Sequence, residues 1–186
     1  KPLVPSNTAP LFKAHVYAGV SYYGKTPLVF VTGTHGVTSK YSNPKTAKPY
    51  DGVCALEYQD VVRDVLVPEA AKIFSSSKRW ADKWTFQQDN AKPHKTAGSM
   101  ELLRGSCPKF IEDWPPHSPD LSWIEKIWAV LKKRVASREP FATFQAFKQA
   151  ITEEWDAISL STLQNNCDAV AARLVKCVEL DGACTS

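Results

Sequence analysis

The sequence of 186 residues predicts an α/β fold built on one core. Three observations support this prediction. Two apolar runs separated by turn residues lie near the N-terminus, short apolar runs alternate with helical segments in the middle, and apolar repeats of helical spacing fill the end. This order is typical of helices that pack on a sheet. The content of 44% hydrophobic and 23% charged residues is that of a globular protein with a sizeable core.

Residues 14–33 predict a β-hairpin. Residues 14–23 are rich in aromatic and β-branched side chains, Gly24-Lys25 offers a turn, and Pro27–Thr32 forms a second apolar run that Gly33 closes. Residues 34–52 are polar, with glycine, proline and serine throughout, which predicts a long surface loop. Residues 1–50 contain six lysines and no acidic residue. This imbalance suits a polyanionic partner such as nucleic acid, although composition alone favours an ordinary solvated surface.

The rest of the chain predicts helices and short strands in alternation. The predicted elements are a helix over Leu56–Leu66 that Pro68 breaks or kinks, with Ala70–Phe74 as its continuation, a strand over Trp84–Gln88, a helix over Ala97–Arg104 stopped by Gly105, and a strand over Lys109–Ile111. After a proline-rich turn, Ile124–Val135 has helical spacing. Residues 141–180 predict C-terminal helices, the first of them capped by Thr143.

Two features indicate the class of protein. No apolar run approaches the roughly 20 residues that span a bilayer, and no signal-peptide core is present, so we expect no membrane partner. The five cysteines include no C-x-x-C pair, which argues against a zinc knuckle and against a secreted disulfide framework. We therefore expect an intracellular protein.

Two carboxylates lie where α/β folds place their ligand groups. Asp89 ends a predicted strand, and Glu125 begins a predicted helix after the proline-rich turn. The helix and strand between them can return the chain so that both face one cleft. Carboxylate oxygens suit hard divalent cations, which support phosphoryl transfer. A purely structural alternative stays open, because Glu125 can simply favour the helix dipole and Asp89 can simply shape a turn.

Two longer motifs surround these carboxylates. Residues 86–94 (FQQDNAKPH) resemble the second-aspartate motif of the mariner superfamily of DDE transposases. Residues 114–128 (WPPHSPDLSWIEKIW), continued by residues 131–135 (LKKRV), resemble the third-carboxylate motif of the same superfamily. The hairpin around residues 19–33 resembles the second and third strands of its core. The resemblance spans roughly residues 14–160.

The resemblance implies an RNase H-like, retroviral integrase-like fold, with a mixed sheet flanked by helices. It implies DNA strand cleavage and transfer at transposon ends with Mg²⁺ or Mn²⁺ and without a small-molecule cofactor. It also implies work as a homodimer and, in a eukaryote, a nuclear location. Asp89 then matches the second catalytic aspartate and Glu125 the third acidic residue, both as metal ligands. Residues expected to contact DNA are Asn90, His94, Lys126, Lys132, Lys133 and Arg134.

The chain also departs from the family pattern. Ser122-Trp123 stands where Asn-Pro is usual before the Ile-Glu pair. The family's first aspartate lies on a central first strand upstream of the hairpin, whereas the first acidic residue here is Asp51, in the predicted loop. The chain also begins at Lys1 without an initiator methionine, which indicates a fragment or processed product. We therefore expect a sheet without its first strand, weak metal binding and impaired catalysis, so the resemblance leaves open whether this chain is an enzyme.

Three functional hypotheses follow. The first is a fragment of a transposase that is active in its complete form. The second is a decayed or domesticated remnant that binds nucleic acid or protein without catalysis. The third, disfavoured by the specific motifs, is an unrelated metal-dependent nuclease of the same fold.

Overall fold

A computed structural model describes residues 12–31, 54–75, 79–116, 118–119 and 121–181. The predicted loop 34–52 lies outside these ranges. Four short strands occupy the N-terminal part: β1 (His15–Tyr17), β2 (Val20–Ser21), β3 (Gly24–Lys25) and β4 (Val29–Val31). β1 pairs antiparallel with β4, with Val16 opposite Phe30, and β2 pairs antiparallel with β3. These pairings form one long hairpin.

The hairpin turn lies at Tyr22-Tyr23, whereas the sequence suggested Gly24-Lys25, which is β3. The Ser21 hydroxyl accepts a hydrogen bond from the Tyr23 N–H at 3.2 Å and donates to the Gly24 carbonyl at 3.1 Å. A serine hydroxyl that bonds the local backbone in this way stabilises a turn at the two residues that follow it.

The helix that Pro68 was expected to break or kink continues past the proline, and residues 70–74 extend it as predicted. It consists of α1 (Ala55–Val61), a π-helical segment (Val62–Leu66) and α2 (Val67–Ser75). Proline has no N–H, and in a regular helix its ring meets the carbonyl four residues earlier. The wider π-helical turn lies immediately before Pro68, with the Val67 N–H donating to the Val62 carbonyl. This local change of helix type accommodates the proline.

A parallel strand pair with an intervening helix occupies the middle of the chain. β5 (Thr85–Phe86) pairs with β6 (Lys109–Phe110), and α3 (Ala97–Ser106) connects them. The Thr96 hydroxyl caps α3 by accepting from the Ser99 N–H at 3.3 Å. The helix runs through Gly105, which was expected to stop it and which has no positive φ, and ends at Ser106.

Three helices complete the described chain: α4 (Trp123–Ala136), α5 (Phe144–Asp156) and α6 (Leu160–Glu179). The Thr143 hydroxyl accepts from the Ala146 N–H at 3.1 Å, which confirms the predicted cap of α5. The Ser159 hydroxyl caps α6 in the same way. None of the described helices is long and apolar enough to cross a membrane.

Two hydrophobic clusters lie on the two faces of the hairpin. Because side chains alternate along a strand, Ala18 and Phe30 face one cluster while Tyr17 and Val31 face the other. The first cluster contains the inner faces of α4, α5 and α6, with Trp155 fully buried in it. The second contains α1, the π-helical segment and α3. The hairpin is thus the middle layer between two layers of helices.

The described strands form three two-stranded ladders. The β1–β4 and β2–β3 ladders are antiparallel, and the β5–β6 ladder is parallel. Among the described strands, β1 pairs only with β4 and β5 pairs only with β6. A cavity of about 220 Å³ lies between residues 16–18 and residues 86–88. This gap separates the hairpin from the β5–β6 pair, and the candidate carboxylates border it.

Candidate functional site

Asp89 lies just beyond β5, at the start of the loop that leads to α3. Its Oδ1 accepts a hydrogen bond from the Ala91 N–H at 3.1 Å and lies 2.6 Å from Nδ1 of His94. Because an ionised carboxylate can only accept, Nδ1 carries the proton and donates. The Asp89 side chain is 59% exposed, whereas that of His94 is 12% exposed. One carboxylate oxygen is therefore fixed by hydrogen bonds within the protein, while the side chain stays accessible to solvent.

His94 is enclosed by two tyrosines. The Tyr58 ring packs against it with centroids 4.2 Å apart, and the Tyr17 ring lies 5.9 Å away, with the Tyr17 hydroxyl 3.4 Å from Nε2 of His94. The two tyrosine rings also contact each other at 5.5 Å. Both ring nitrogens of His94 thus have a partner, one at each end of the imidazole.

Several hydrogen bonds fix the loop that carries Asp89. The buried Tyr58 hydroxyl donates to Oε1 of Gln88, and Nε2 of Gln88 donates to the His94 carbonyl at 3.2 Å. The Ser99 hydroxyl donates to the Pro93 carbonyl at 2.7 Å. Nδ2 of Asn90, expected to contact DNA, donates to the Trp114 carbonyl at 2.7 Å and so ties this loop to the segment before α4. The loop geometry is set before any ligand binds.

These contacts shift the ionisation of the site. The hydrogen bond from His94 holds the pKa of Asp89 below its usual value, against the opposing effect of burial, and the Ala91 N–H adds to the lowering. Burial raises the pKa of Tyr17 to about 12, with a further rise from the Asp89 charge. Burial also raises the pKa of Tyr58. At neutral pH, Asp89 is therefore ionised while both tyrosine hydroxyls keep their protons.

Glu125 lies in the first turn of α4, where its charge also favours the helix dipole. Its side chain is exposed. Asp89, His94 and Glu125 all line the cavity of about 220 Å³ between the hairpin and β5. The structure thus places at one cavity two carboxylates that have 35 residues between them in sequence, an arrangement that the intervening helix and strand were expected to permit.

The donor chemistry of this cavity suits a hard divalent cation. Carboxylate oxygens are the ligands that Mg²⁺ and Mn²⁺ prefer, and Mg²⁺ usually keeps several waters beside one or two protein carboxylates. Within residues 12–31, 54–75, 79–116 and 121–181, no group of three or more acidic, histidine or cysteine side chains is arranged to hold a metal. Asp89 and Glu125 are thus two carboxylates of the suitable donor type at one cavity, and no third described group is arranged with them to hold a metal.

The basic residues of α4 divide between two sides of the helix. Lys132 follows Glu125 by seven residues, which is about two turns and roughly 10 Å along the same face. Lys126 and Lys133 are exposed on the neighbouring face. Arg134 points away from Glu125, and its charge acts on Lys25 of the hairpin. The predicted DNA-contacting set is thus split: Lys132 lies on the Glu125 face, Lys126 and Lys133 lie on the neighbouring face, and Arg134 lies opposite Glu125.

Two further cavities adjoin this one along the hairpin. One of about 600 Å³ shares Val16, Glu125 and Trp128 with the first, and another of about 170 Å³ shares Ala18, Phe86 and Gln87. Together the three cavities follow residues 12–21.

The sequence did not single out Tyr17 or Tyr58. Both occur in patterns of apolar residues, one in a strand and one in a helix, and such patterns indicate core positions. Their contact with His94 joins three segments that lie far apart in sequence. No local signal could have revealed it.

Comparison with known proteins gives a consistent result. The family model described as DDE superfamily endonuclease matches residues 55–148, which include both carboxylates. The Tc3 transposase of Caenorhabditis elegans is 31% identical over 98 residues, covering 52% of this chain and 30% of that protein. The Tcb1 transposase of Caenorhabditis briggsae is 26% identical over 125 residues, covering 67% of this chain and 43% of that protein. The chain thus spans less than half the length of these relatives.

A solved structure is similar over nearly the whole chain. The Mos1 mariner paired end complex with Mn aligns with a TM-score of 0.68 at 16% identity, covering 98% of this chain and 48% of that chain. At this identity the likeness concerns the fold. The predicted RNase H-like, integrase-like α/β fold is confirmed.

Proposed function

Since the chain belongs to the DDE superfamily endonuclease family and groups with transposases of the mariner superfamily, we propose that it is part of the catalytic core of a DNA transposase. In the complete protein this core cleaves DNA strands at transposon ends and joins them to a target. The observation that carries the proposal is the meeting of Asp89 and Glu125 at one cavity, with His94 holding Asp89.

Asp89 and Glu125 are the proposed ligands of Mg²⁺ or Mn²⁺. When bound, such ions stabilise the attacking and leaving oxygens of phosphoryl transfer. The residues of this chain hold and orient the proposed ligand groups. The hydrogen bond from His94 keeps Asp89 ionised and fixes one of its oxygens. The similar solved structure, the Mos1 mariner paired end complex, was obtained with Mn, which supports a divalent ion here.

DNA is the proposed partner. Lys132 lies on the face of α4 that carries Glu125, and Lys126 and Lys133 are exposed on the neighbouring face, so these side chains can contact phosphates that flank the scissile position. Asn90, His94 and Arg134 belong to the same proposed DNA-contacting set. The paired end complex of the relative supports action by two copies of the chain on two DNA ends. In a eukaryotic cell this substrate implies work in the nucleus.

The proposed active site needs a third carboxylate. We propose that an aspartate from outside the described residues supplies it at this cavity. An in-frame strand-like segment with an aspartate, found by sequencing the genomic DNA and transcript upstream of the Lys1 codon, is the expected result. A stop codon or frameshift there would contradict this part of the proposal.

The metal site is tested by isosteric variants of both carboxylates. Weak Mn²⁺ binding is expected for the chain, and Asp89→Asn and Glu125→Gln should each weaken it further, because each removes a charged oxygen ligand. Electron paramagnetic resonance of free Mn²⁺ measures the affinity, and nicking of supercoiled plasmid in Mn²⁺ measures activity. Glu101→Gln, at an exposed position of α3, is the matched control. Equal Mn²⁺ affinity in all four proteins would overturn the assignment.

A further inference from the structure

The Tyr17 side chain connects the hairpin to the candidate metal site. Its ring packs against Tyr58, and its hydroxyl reaches Nε2 of His94 at 3.4 Å. His94 in turn bonds Oδ1 of Asp89 through Nδ1 at 2.6 Å. These three side chains come from β1 and from the loop after β5, and they form an unbroken chain of polar contacts.

We infer that Tyr17 is a positioning residue: its hydroxyl donates to Nε2 of His94, keeps the ring proton on Nδ1, and thereby fixes Oδ1 of Asp89 and leaves Oδ2 for a metal ion. This inference rests on the proposed function for its last step. The earlier steps depend only on the contacts of the described residues.

The direction of the hydrogen bonds follows from the chemistry of the groups. Asp89 is ionised and can only accept, so Nδ1 must donate. In the tautomer whose single ring proton is on Nδ1, Nε2 is an acceptor, and its hydrogen-bond partner must be a donor. The Tyr17 hydroxyl keeps its proton far above neutral pH because burial raises its pKa to about 12. Tyr17 is thus the donor that this tautomer requires.

The position of Oδ1 limits how Asp89 can bind a cation. Oδ1 already accepts from both His94 and the Ala91 N–H. A carboxylate held in this way would have its other oxygen, Oδ2, left for a ligand. Partners that orient a ligand in this manner typically change metal affinity by about 10–100-fold when they are removed.

The first test observes the tautomer of His94 in the full chain. Ring ¹⁵N shifts at pH 8 should show a protonated Nδ1 and an unprotonated Nε2, with His94→Gln identifying the signals. Tyr17→Phe keeps the ring and removes only the hydroxyl, and it should move the two nitrogen shifts towards each other. Tyr22→Phe, at an exposed turn position, should leave them unchanged. Unchanged shifts in Tyr17→Phe would overturn the inference.

The second test measures Mn²⁺ affinity in a double-mutant cycle. Tyr17→Phe should weaken binding by up to about tenfold, and it should have no effect in the His94→Ala background, because Tyr17 acts through His94. An equal loss in both backgrounds would mean that Tyr17 is a general packing residue. If wild type binds Mn²⁺ no better than Asp89→Asn, the proposed function loses its support, while the nitrogen shifts still decide the role of Tyr17.

Discussion

Asp89 illustrates how single residues of this site are prepared for their task. A carboxylate at the end of a strand is unremarkable in sequence, but here one oxygen is bonded by a histidine and a backbone amide while the side chain remains 59% exposed. The motif around Asp89 identified the acid and the histidine. It could not reveal that they contact each other, because five-residue loops adopt many conformations.

The two tyrosines that enclose His94 should titrate late. Burial raises the pKa of Tyr17 to about 12 and also raises that of Tyr58, so folding favours the protonated form of both. Their contribution to stability is therefore complete below the ordinary tyrosine pKa of about 10 and is lost as pH rises through the native values. Absorbance at 295 nm should show ionisation delayed above pH 10, coupled to unfolding.

Replacement of Tyr17 tests whether its hydroxyl is one of the groups that ionise late. Tyr17→Phe should remove one of the two hydroxyls that ionise late. It should also reduce the loss of the free energy of unfolding between pH 10 and 12, as measured by urea unfolding at each pH. A Tyr17→Phe protein with the same alkaline loss as wild type would show that another group is responsible.

Among the elements, α4 combines the two proposed roles. Its first turn carries Glu125, and its exposed lysines continue from there, whereas Arg134 points to the hairpin. The sequence showed only a basic stretch. Once the first residue of the helix is known, the helical periodicity shows on which face of α4 each basic residue lies.

Because the basic residues of α4 lie on different faces of the helix, we expect their replacement to have unequal effects on DNA binding. Lys132→Ala should weaken DNA affinity and lower the salt slope by about one, because one phosphate contact is lost. Arg134→Ala should have a smaller effect, since the side chain lies on the other side of the helix. Fluorescence anisotropy over a salt series measures both. Lys72→Ala, whose side chain pairs with Glu69, is the control. Equal slopes for Lys132→Ala and Lys72→Ala would exclude α4 as the DNA-contacting element.

The elements also show which parts of the fold could be foreseen. Periodic apolar spacing predicted the helices over Ile124–Val135 and after Thr143, because long helices repeat their signal many times. The π-helical segment before Pro68 has no sequence signature beyond the proline itself. The strands have only two or three residues each, which is too short for alternation to fix their register or their turn.

At the scale of the whole molecule, the hairpin is held by the helices at the other end of the chain. Nε1 of Trp155 donates to the Thr26 carbonyl at 3.0 Å, and Nζ of Lys25 donates to the Ile158 carbonyl at 2.6 Å, just beyond the end of α5. The Trp155 ring also stacks on Trp128 of α4. One buried indole therefore joins the middle layer to two helices of the outer layer.

Replacement of this indole should be costly. Trp155→Phe should lower the free energy of unfolding by about 2–4 kcal/mol, because it leaves a void and removes the donor to a buried carbonyl. Urea unfolding followed by circular dichroism measures the loss. Trp80→Phe, at a partly exposed bend, should change it by less than about 1 kcal/mol. Similar values for both variants would contradict the central role of Trp155.

The tie between the hairpin and α5 has a consequence for synthesis on the ribosome. Thr26 and Trp155 are 129 residues apart, and Lys25 and Ile158 are 133 apart. At roughly 5–20 residues per second, the hairpin emerges on the order of ten seconds before the helices that cover it. During that interval its apolar face and its strand edges are exposed to solvent, where they can associate with other extended apolar segments.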